Sequence, residues 1–267
     1  GLQLPNTNDY WIMSRAEFVH DDTRNPTLNI WNGLRYKIFA EYMYKAYTDN
    51  EFYSVSDSFN FIKNGGFYNV GMDFRYYHKI YKNFIGAVRF AAAHSGGNQQ
   101  IKYVLGGVDN DINPKYSNAL QPSNKANYAF QSLGTNLRGY DQNARNGNTY
   151  ALMNAELRFP VLSTILRRPI QSPILKHLQL VAFLDMGSAW EGILPTSESF
   201  ERYNYYYYPS RSNPTVKIAM PNYSDNGIAI GYGTGLRTQV FGYFARFDAA
   251  WNIRKEFTWY LSIGTDF

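Results

Sequence analysis

The stretch WNGLRYKIFAEYMYK, residues 31–45, decides the fold class. Leu34, Tyr36, Ile38, Ala40, Tyr42 and Tyr44 fall on one parity; Arg35, Lys37, Glu41 and Lys45 fall on the other. A helix would mix these two sets, whereas a strand, with its period of two, separates them. FYNVGMDFRYYHK, residues 67–79, repeats the pattern. Tyr68, Val70, Met72, Phe74 and Tyr76 oppose Asn69, Gly71, Asp73, Arg75, Tyr77 and Lys79.

Working outward, the same period marks nine segments, at 11–21, 31–45, 67–80, 83–95, 149–160, 176–190, 226–240, 242–253 and 257–267. The chain is therefore expected to be all-β. All of these segments exceed the roughly five or six residues of a typical globular strand. Tilted strands of about nine to eleven residues are what a bilayer requires. The connections mostly alternate between tight turns, such as the one holding Asn25 and Pro26, and long loops, such as residues 96–148. Antiparallel membrane barrels sort their turns in this way.

The two faces choose between a soluble and a membrane sheet. One face is apolar with aromatic ends, as in Trp259, Leu261, Ile263, Thr265 and Phe267 of the last segment. The other carries charges: Arg246 with Asp248, Asp73 with Arg75, and Glu156 with Arg158. A soluble sandwich or barrel packs its apolar set inward. Here the charged set has to face inward, because hydrocarbon does not host charge cheaply. The expected architecture is an antiparallel transmembrane β-barrel, with aromatics at the membrane interfaces. Nine strands cannot close an all-antiparallel barrel, so either the count is off by one or further strands precede Gly1, and the lack of a leader in GLQLPNTNDY favours the second.

Composition agrees and excludes other classes. Aromatics make up 18% of the 267 residues, yet mean hydropathy is −0.43, which alternation reconciles. The net charge of +5 is scattered along the chain, so no nucleic-acid footprint is expected. With no cysteine, thiol chemistry is excluded. His20, His78, His94 and His177 are dispersed and offer no metal-ligand spacing. Asp109, Asn110 and Asp111 resemble the first positions of a calcium loop, but the remaining ligands are missing, so a polar loop is expected. GYGTG lacks the Lys-Ser/Thr of a phosphate loop. His94 and Ser95 are adjacent and would point to opposite faces of a strand, which argues against a catalytic dyad. No enzyme, cofactor or metal is expected. The tyrosine-rich YNYYYYPS, residues 203–210, reads as part of a long outer loop.

One further stretch, TNLRGYDQNARNGN at residues 135–148, sits in a long region with little strand pattern. After it come NAELRFPV, AFLDMGSAW, the glycine-rich GIAIGYGTGL, and the final TWYLSIGTDF. This order resembles the C-terminal part of the BamA/TamA superfamily, the bacterial surface antigen barrels. Those are multi-pass proteins of the bacterial outer membrane that insert other barrels or translocate chains.

The resemblance implies a barrel of sixteen strands, of which this chain would supply the last nine as one domain, residues 1–267. The earlier strands and periplasmic domains would lie upstream. It also implies that loop 96–148 folds into the lumen. Leu137, Arg138, Gly139 and Tyr140 match the family's loop motif, and Glu156 and Asp185 match its acidic wall positions. The strand period independently places both acids on the charged face. A guanidinium can meet two carboxylates with its planar fork, which lysine cannot. Gly139 would permit a sharp turn or close approach, and Tyr140 would use its hydroxyl at the wall.

Trp259, Leu261, Ile263 and Phe267 resemble the C-terminal signal of outer-membrane barrels. The implied partners are outer-membrane lipids, unfolded outer-membrane protein clients and accessory subunits of an assembly complex. The implied mechanism is strand addition at the gate edge formed by the last strand. Gly106 and Gly107 lie well upstream of Arg138, unlike the shorter lead-in of BamA itself, which points to a divergent branch. The glycines of residues 227–236 read as packing sites for neighbouring aromatic rings, or as a source of flexibility near the gate. A passive pore or a surface-binding barrel is the alternative function.

Overall fold

A computed structural model of the chain describes residues 7–24, 32–50, 65–81, 84–118, 120, 128–134, 136–165, 172–196, 200, 203–208, 216–221, 227–240 and 243–264. Asn25, Pro26, Thr265 and Phe267 lie outside the described residues, as do the side chains of the tyrosine-rich stretch.

Nine strands form one antiparallel sheet, each joined to the next one of the set in chain order. They are β1 (Thr7–Asp21), β2 (Gly33–Asn50), β3 (Gly66–Tyr81), β4 (Phe84–Gly97), β8 (Thr149–Phe159), β9 (Gln179–Trp190), β12 (Ala229–Val240), β13 (Tyr243–Asn252) and β14 (Phe257–Gly264). The sheet is open among the described residues, since β1 and β14 stand at its two ends. It is consistent with a section of β-barrel wall.

Burial follows the period of two. On β3, Tyr68, Val70, Met72, Phe74 and Tyr76 are exposed. On β2, Ile38, Tyr42 and Tyr44 are exposed while Glu41 and Lys45 are buried. A continuous exposed apolar face over nine strands suits hydrocarbon rather than water. On the opposite face the largest fully buried side chains include Arg158 and Arg237.

Three sequence expectations are corrected. First, segment 96–148 holds a small sheet of β5 (Gln100–Leu105), β6 (Tyr128–Leu133) and β7 (Arg145–Gly147) in the order β6-β5-β7. These strands are too short to show a period, which is why the sequence reads as loop. Second, the strand expected at 176–190 starts three residues later, behind a helical turn. After α1 (Val161–Ile165) comes α2 (Pro173–Lys176), and the strand starts at Gln179. Pro173 suits a first helical position, where its fixed φ and missing N–H cost nothing. A further hairpin, β10 (Tyr203–Tyr208) with β11 (Val216–Pro221), stands in the connection before β12.

Third, the inner face is not uniformly polar. Phe67, Ala91, Ala93, Tyr150, Leu152, Ala189 and Ala229 of the wall form one cluster with Ile101, Tyr103, Leu105 and Leu137 of the long loop. The loop thus supplies the apolar partner that this part of the inner face needs. Burying Leu137 completely contributes about 1.5–3 kcal/mol.

Candidate functional site

The long loop meets the sheet most tightly at Arg138, which is 2% exposed. Its Nε donates to Asp185 Oδ2 at 2.7 Å and its Nη2 to Asp185 Oδ1 at 2.8 Å, a two-pronged pair. Nη1 donates to Glu156 Oε1 at 2.7 Å and stands 3.6 Å from Asp248 Oδ2. The backbone N–H of Arg138 also donates to Asp185 Oδ2, at 3.0 Å. The guanidinium lies over the Phe183 ring, 3.6 Å from its centroid, a cation–π arrangement.

Two more arginines complete the cluster. Arg237 Nη2 donates to Glu156 Oε1 at 2.6 Å, and Arg158 Nε donates to Glu156 Oε2 at 2.9 Å. Three guanidiniums therefore face the carboxylates of Glu156, Asp185 and Asp248, and the buried charges balance. Burial works to lower the pKa of Arg138, but the nearby charges of Asp185 and Glu156 outweigh it and hold the pKa well above the ordinary arginine value. Such a cluster adds little over apolar packing of equal volume, yet loss of one member is severe. It therefore fixes where the loop sits more than it adds net stability.

The neighbouring residues let the backbone come this close. Gly139 has φ of +92°, and a Cβ there would stand 2.9 Å from the Trp251 carbonyl oxygen. Gly231 of β12 lies directly against the Arg138 carbonyl, leaving no room for a side chain. At Gly233 a Cβ would meet first the Ala249 carbonyl oxygen and then the Phe183 ring at 2.8 Å, and at Gly235 it would meet the Asp248 carboxylate.

The Tyr140 hydroxyl donates to the Ile230 carbonyl at 3.1 Å and accepts from the Ile230 N–H at 3.2 Å. Ile230 lies just beyond the last β12–β13 pair, Gly231 with Asn252, so Tyr140 satisfies backbone left over where that ladder ends. The Tyr260 hydroxyl of β14 accepts from the Gly139 N–H at 2.9 Å and donates to the Tyr140 carbonyl at 2.8 Å.

Gly106 and Gly107 are distant in sequence but adjacent in space. The Gly107 N–H donates to the Tyr140 carbonyl at 2.7 Å, and the Leu137 N–H donates to the Gly107 carbonyl at 3.0 Å. The intervening residues loop out and return.

A second, uncharged contact lies further along the wall. Tyr103 of β5 donates to Asn69 Oδ1 at 2.5 Å, Asn69 Nδ2 donates to Glu41 Oε2 at 2.8 Å, and Arg15 Nη1 donates to Glu41 Oε1 at 2.7 Å. The Tyr103 ring meets Tyr150 edge-on, with centroids 4.9 Å apart. Burial pushes the Tyr103 phenol up in pKa, so it remains a donor.

Of the residues singled out from sequence, the structure brings Leu137, Arg138, Gly139 and Tyr140 together with Glu156 and Asp185. Trp259, Leu261 and Ile263 lie on the other face of β14; Trp259 and Ile263 are exposed and Leu261 is half-buried. Sequence reasoning missed the site roles of Arg237, Gly231, Phe183, Tyr260 and Tyr103. Strand phase alone puts Arg237 and Tyr260 on the inner face, so that much could have been found. Which of them reach the loop depends on register.

An antiparallel wall with one exposed apolar face, and a long loop tied to the other face by a buried ion cluster, is consistent with a section of transmembrane β-barrel. A family model for the Omp85 superfamily domain matches residues 19–267. The chain belongs to the Omp85 superfamily, which is in general one of outer-membrane protein insertion and translocation and is located in the bacterial outer membrane. No curated protein matches the chain.

Proposed function

We propose that this chain is part of an outer-membrane insertase or translocase. In this reading it acts by strand addition at a lateral gate that includes β14, and catalyses no covalent chemistry. The clients are unfolded outer-membrane proteins. Accessory subunits belong to the same assembly, and the exposed apolar face meets lipid. Loop 96–148 lies in the lumen, and the cluster of Arg138, Glu156 and Asp185 holds it there, keeping the wall in a working shape. Strand addition answers a physical problem: a client strand paired to an edge never presents its backbone to hydrocarbon unsatisfied.

The observation that carries this reading is the Arg138 cluster, which ties the loop to β8, β9 and β13 in a chain of this superfamily. The test is Arg138→Ala in the full-length protein, read by heat-modifiable gel mobility and by client insertion in reconstituted vesicles. Both should fall. If both stay at wild-type levels, the cluster does not have this role.

A further inference from the structure

The connection from β8 to β9 is unlike its neighbours at the same end of the wall. There β3 passes to β4 between Tyr81 and Phe84, and β12 to β13 between Val240 and Tyr243. Residues 160–178 instead carry α1 and α2. Their sequence, PVLSTILRRPIQSPILKHL, is apolar and basic: it holds Arg167, Arg168 and Lys176 and no carboxylate. The two arginines lie outside the described residues and count here only as charge. The loop of 191–228, at the opposite end of the wall, has Glu191, Glu198, Glu201 and Asp225.

Helix α2 stands at the rim, beside the apolar face of β12. Thr238 Oγ1 donates to the Ile174 carbonyl at 2.6 Å. Thr238 has the parity of the exposed Tyr232 and Leu236, opposite the buried Arg237. The last pair of β12 with β9 is Arg237 with Gln179, so α2 takes the place beside β12 that β9 leaves empty at the rim. Its turn closes on itself: the Lys176 N–H donates to the Ser172 carbonyl at 3.0 Å, and the Leu178 N–H to the Leu175 carbonyl at 3.3 Å. Ile174 and Leu175 are left 45% and 46% exposed, with Lys176 exposed beside them. One step in from Thr238, the facing pair Leu180 and Leu236 is also exposed, so the apolar surface of α2 runs into that of the wall.

We propose that α2 is an interfacial anchor: Ile174 and Leu175 enter the headgroup boundary of the membrane leaflet at this end of the wall, and Lys176 takes the phosphate of an anionic phospholipid. The proposal rests on the lipid-facing reading of the wall above. Two adjacent exposed aliphatic side chains that prolong a lipid-facing surface suit the bilayer boundary, which accepts them and leaves an ammonium at headgroup level. The acid-free composition of 160–178 selects the headgroup. An anionic surface favours each nearby cation about fivefold, and a zwitterionic one offers no net charge. An anchor here fixes the depth of the wall on its β9–β12 side, where the tight turns at the same end have no comparable element.

The test is site-directed labelling of the full-length protein. Residues 1–267 contain no cysteine, so Leu175→Cys places a single fluorophore on α2. The labelled protein is reconstituted into phosphatidylcholine vesicles holding equal fractions of doxyl-labelled phosphatidylglycerol or doxyl-labelled phosphatidylcholine. Both lipids should quench the label, phosphatidylglycerol about twofold or more strongly. Lys176→Glu in the same variant should bring that ratio toward one, with heat-modifiable mobility kept. Ile174→Cys is the second reporter. Met72→Cys, on the exposed face of β3, is the control and should be quenched equally by both lipids. If Met72→Cys is quenched and neither α2 label is, α2 faces water or another protein surface, and the anchor is wrong while the lipid-facing wall stands. Equal quenching of the α2 labels by the two lipids would show that an anionic headgroup is not the occupant. If Met72→Cys escapes quenching, the lipid-facing reading falls and the anchor falls with it.

Discussion

Arg138 and Tyr103 both tie the long loop to the sheet, the first with charge and the second without. Around Arg138, six ionised groups are sealed from solvent, with Glu156 and Asp185 at 3% and 0% exposure. Around Tyr103, the hydrogen-bond chain runs outward through Asn69 and Glu41 to Arg15, whose side chain is 38% exposed. The first contact cannot be lost in part, because each departing charge strands another in a low-dielectric site. The second ends where water can replace a partner, so its loss is graded.

The largest expected effect follows from the charged contact. Arg138→Ala should lower unfolding free energy in detergent by about 3–5 kcal/mol, the cost of breaking a buried ion cluster. Arg138→Lys should recover only a small part of that loss, since an ammonium cannot reproduce the two-pronged pair with Asp185. Full rescue by lysine would mean that charge alone, without geometry, holds the loop.

Gly231→Ala is next. It leaves every charge in place but puts a methyl group where the Arg138 carbonyl lies, and should cost about 1–3 kcal/mol by overpacking. Equilibrium unfolding beside wild type checks it, and an unchanged midpoint would show that the loop does not sit against β12.

Tyr260→Phe removes one hydroxyl that serves both Gly139 and Tyr140, for an expected loss of about 1–3 kcal/mol. Tyr103→Phe should be the mildest, about 1 kcal/mol, with client insertion retained. A Tyr103→Phe loss equal to that of Arg138→Ala would erase the distinction between the two contacts.

The same two contacts show what could be read in the sequence. The wall was legible because strands of this length repeat their parity many times. The phase that exposes Tyr68, Val70 and Met72 also sends Glu156 and Asp185 inward. Arg138 was legible through the resemblance of LRGY, and its reach toward those two acids followed from that resemblance together with strand phase. Tyr103 was not legible. It stands in a six-residue strand whose pairing with β6 and β7 is non-local, and nothing nearby marks it. The glycines of β12 were noticed, but register alone decides that Gly231 faces the Arg138 carbonyl while Gly233 faces Phe183. The closeness of Gly107 to Tyr140 was hidden for the same reason: a chain that loops out and returns leaves no periodic trace.

A double-mutant cycle between Arg138→Ala and Asp185→Asn tests the central claim most directly, with unfolding free energy and client insertion measured on the same preparations. If the loop is held by this pair, the double variant should be little worse than the worse single variant, giving a coupling of about 1–3 kcal/mol, with insertion lost to a similar degree in all three. Additive losses would contradict the account, since the two residues would then act separately and the pair would not be what seats the loop.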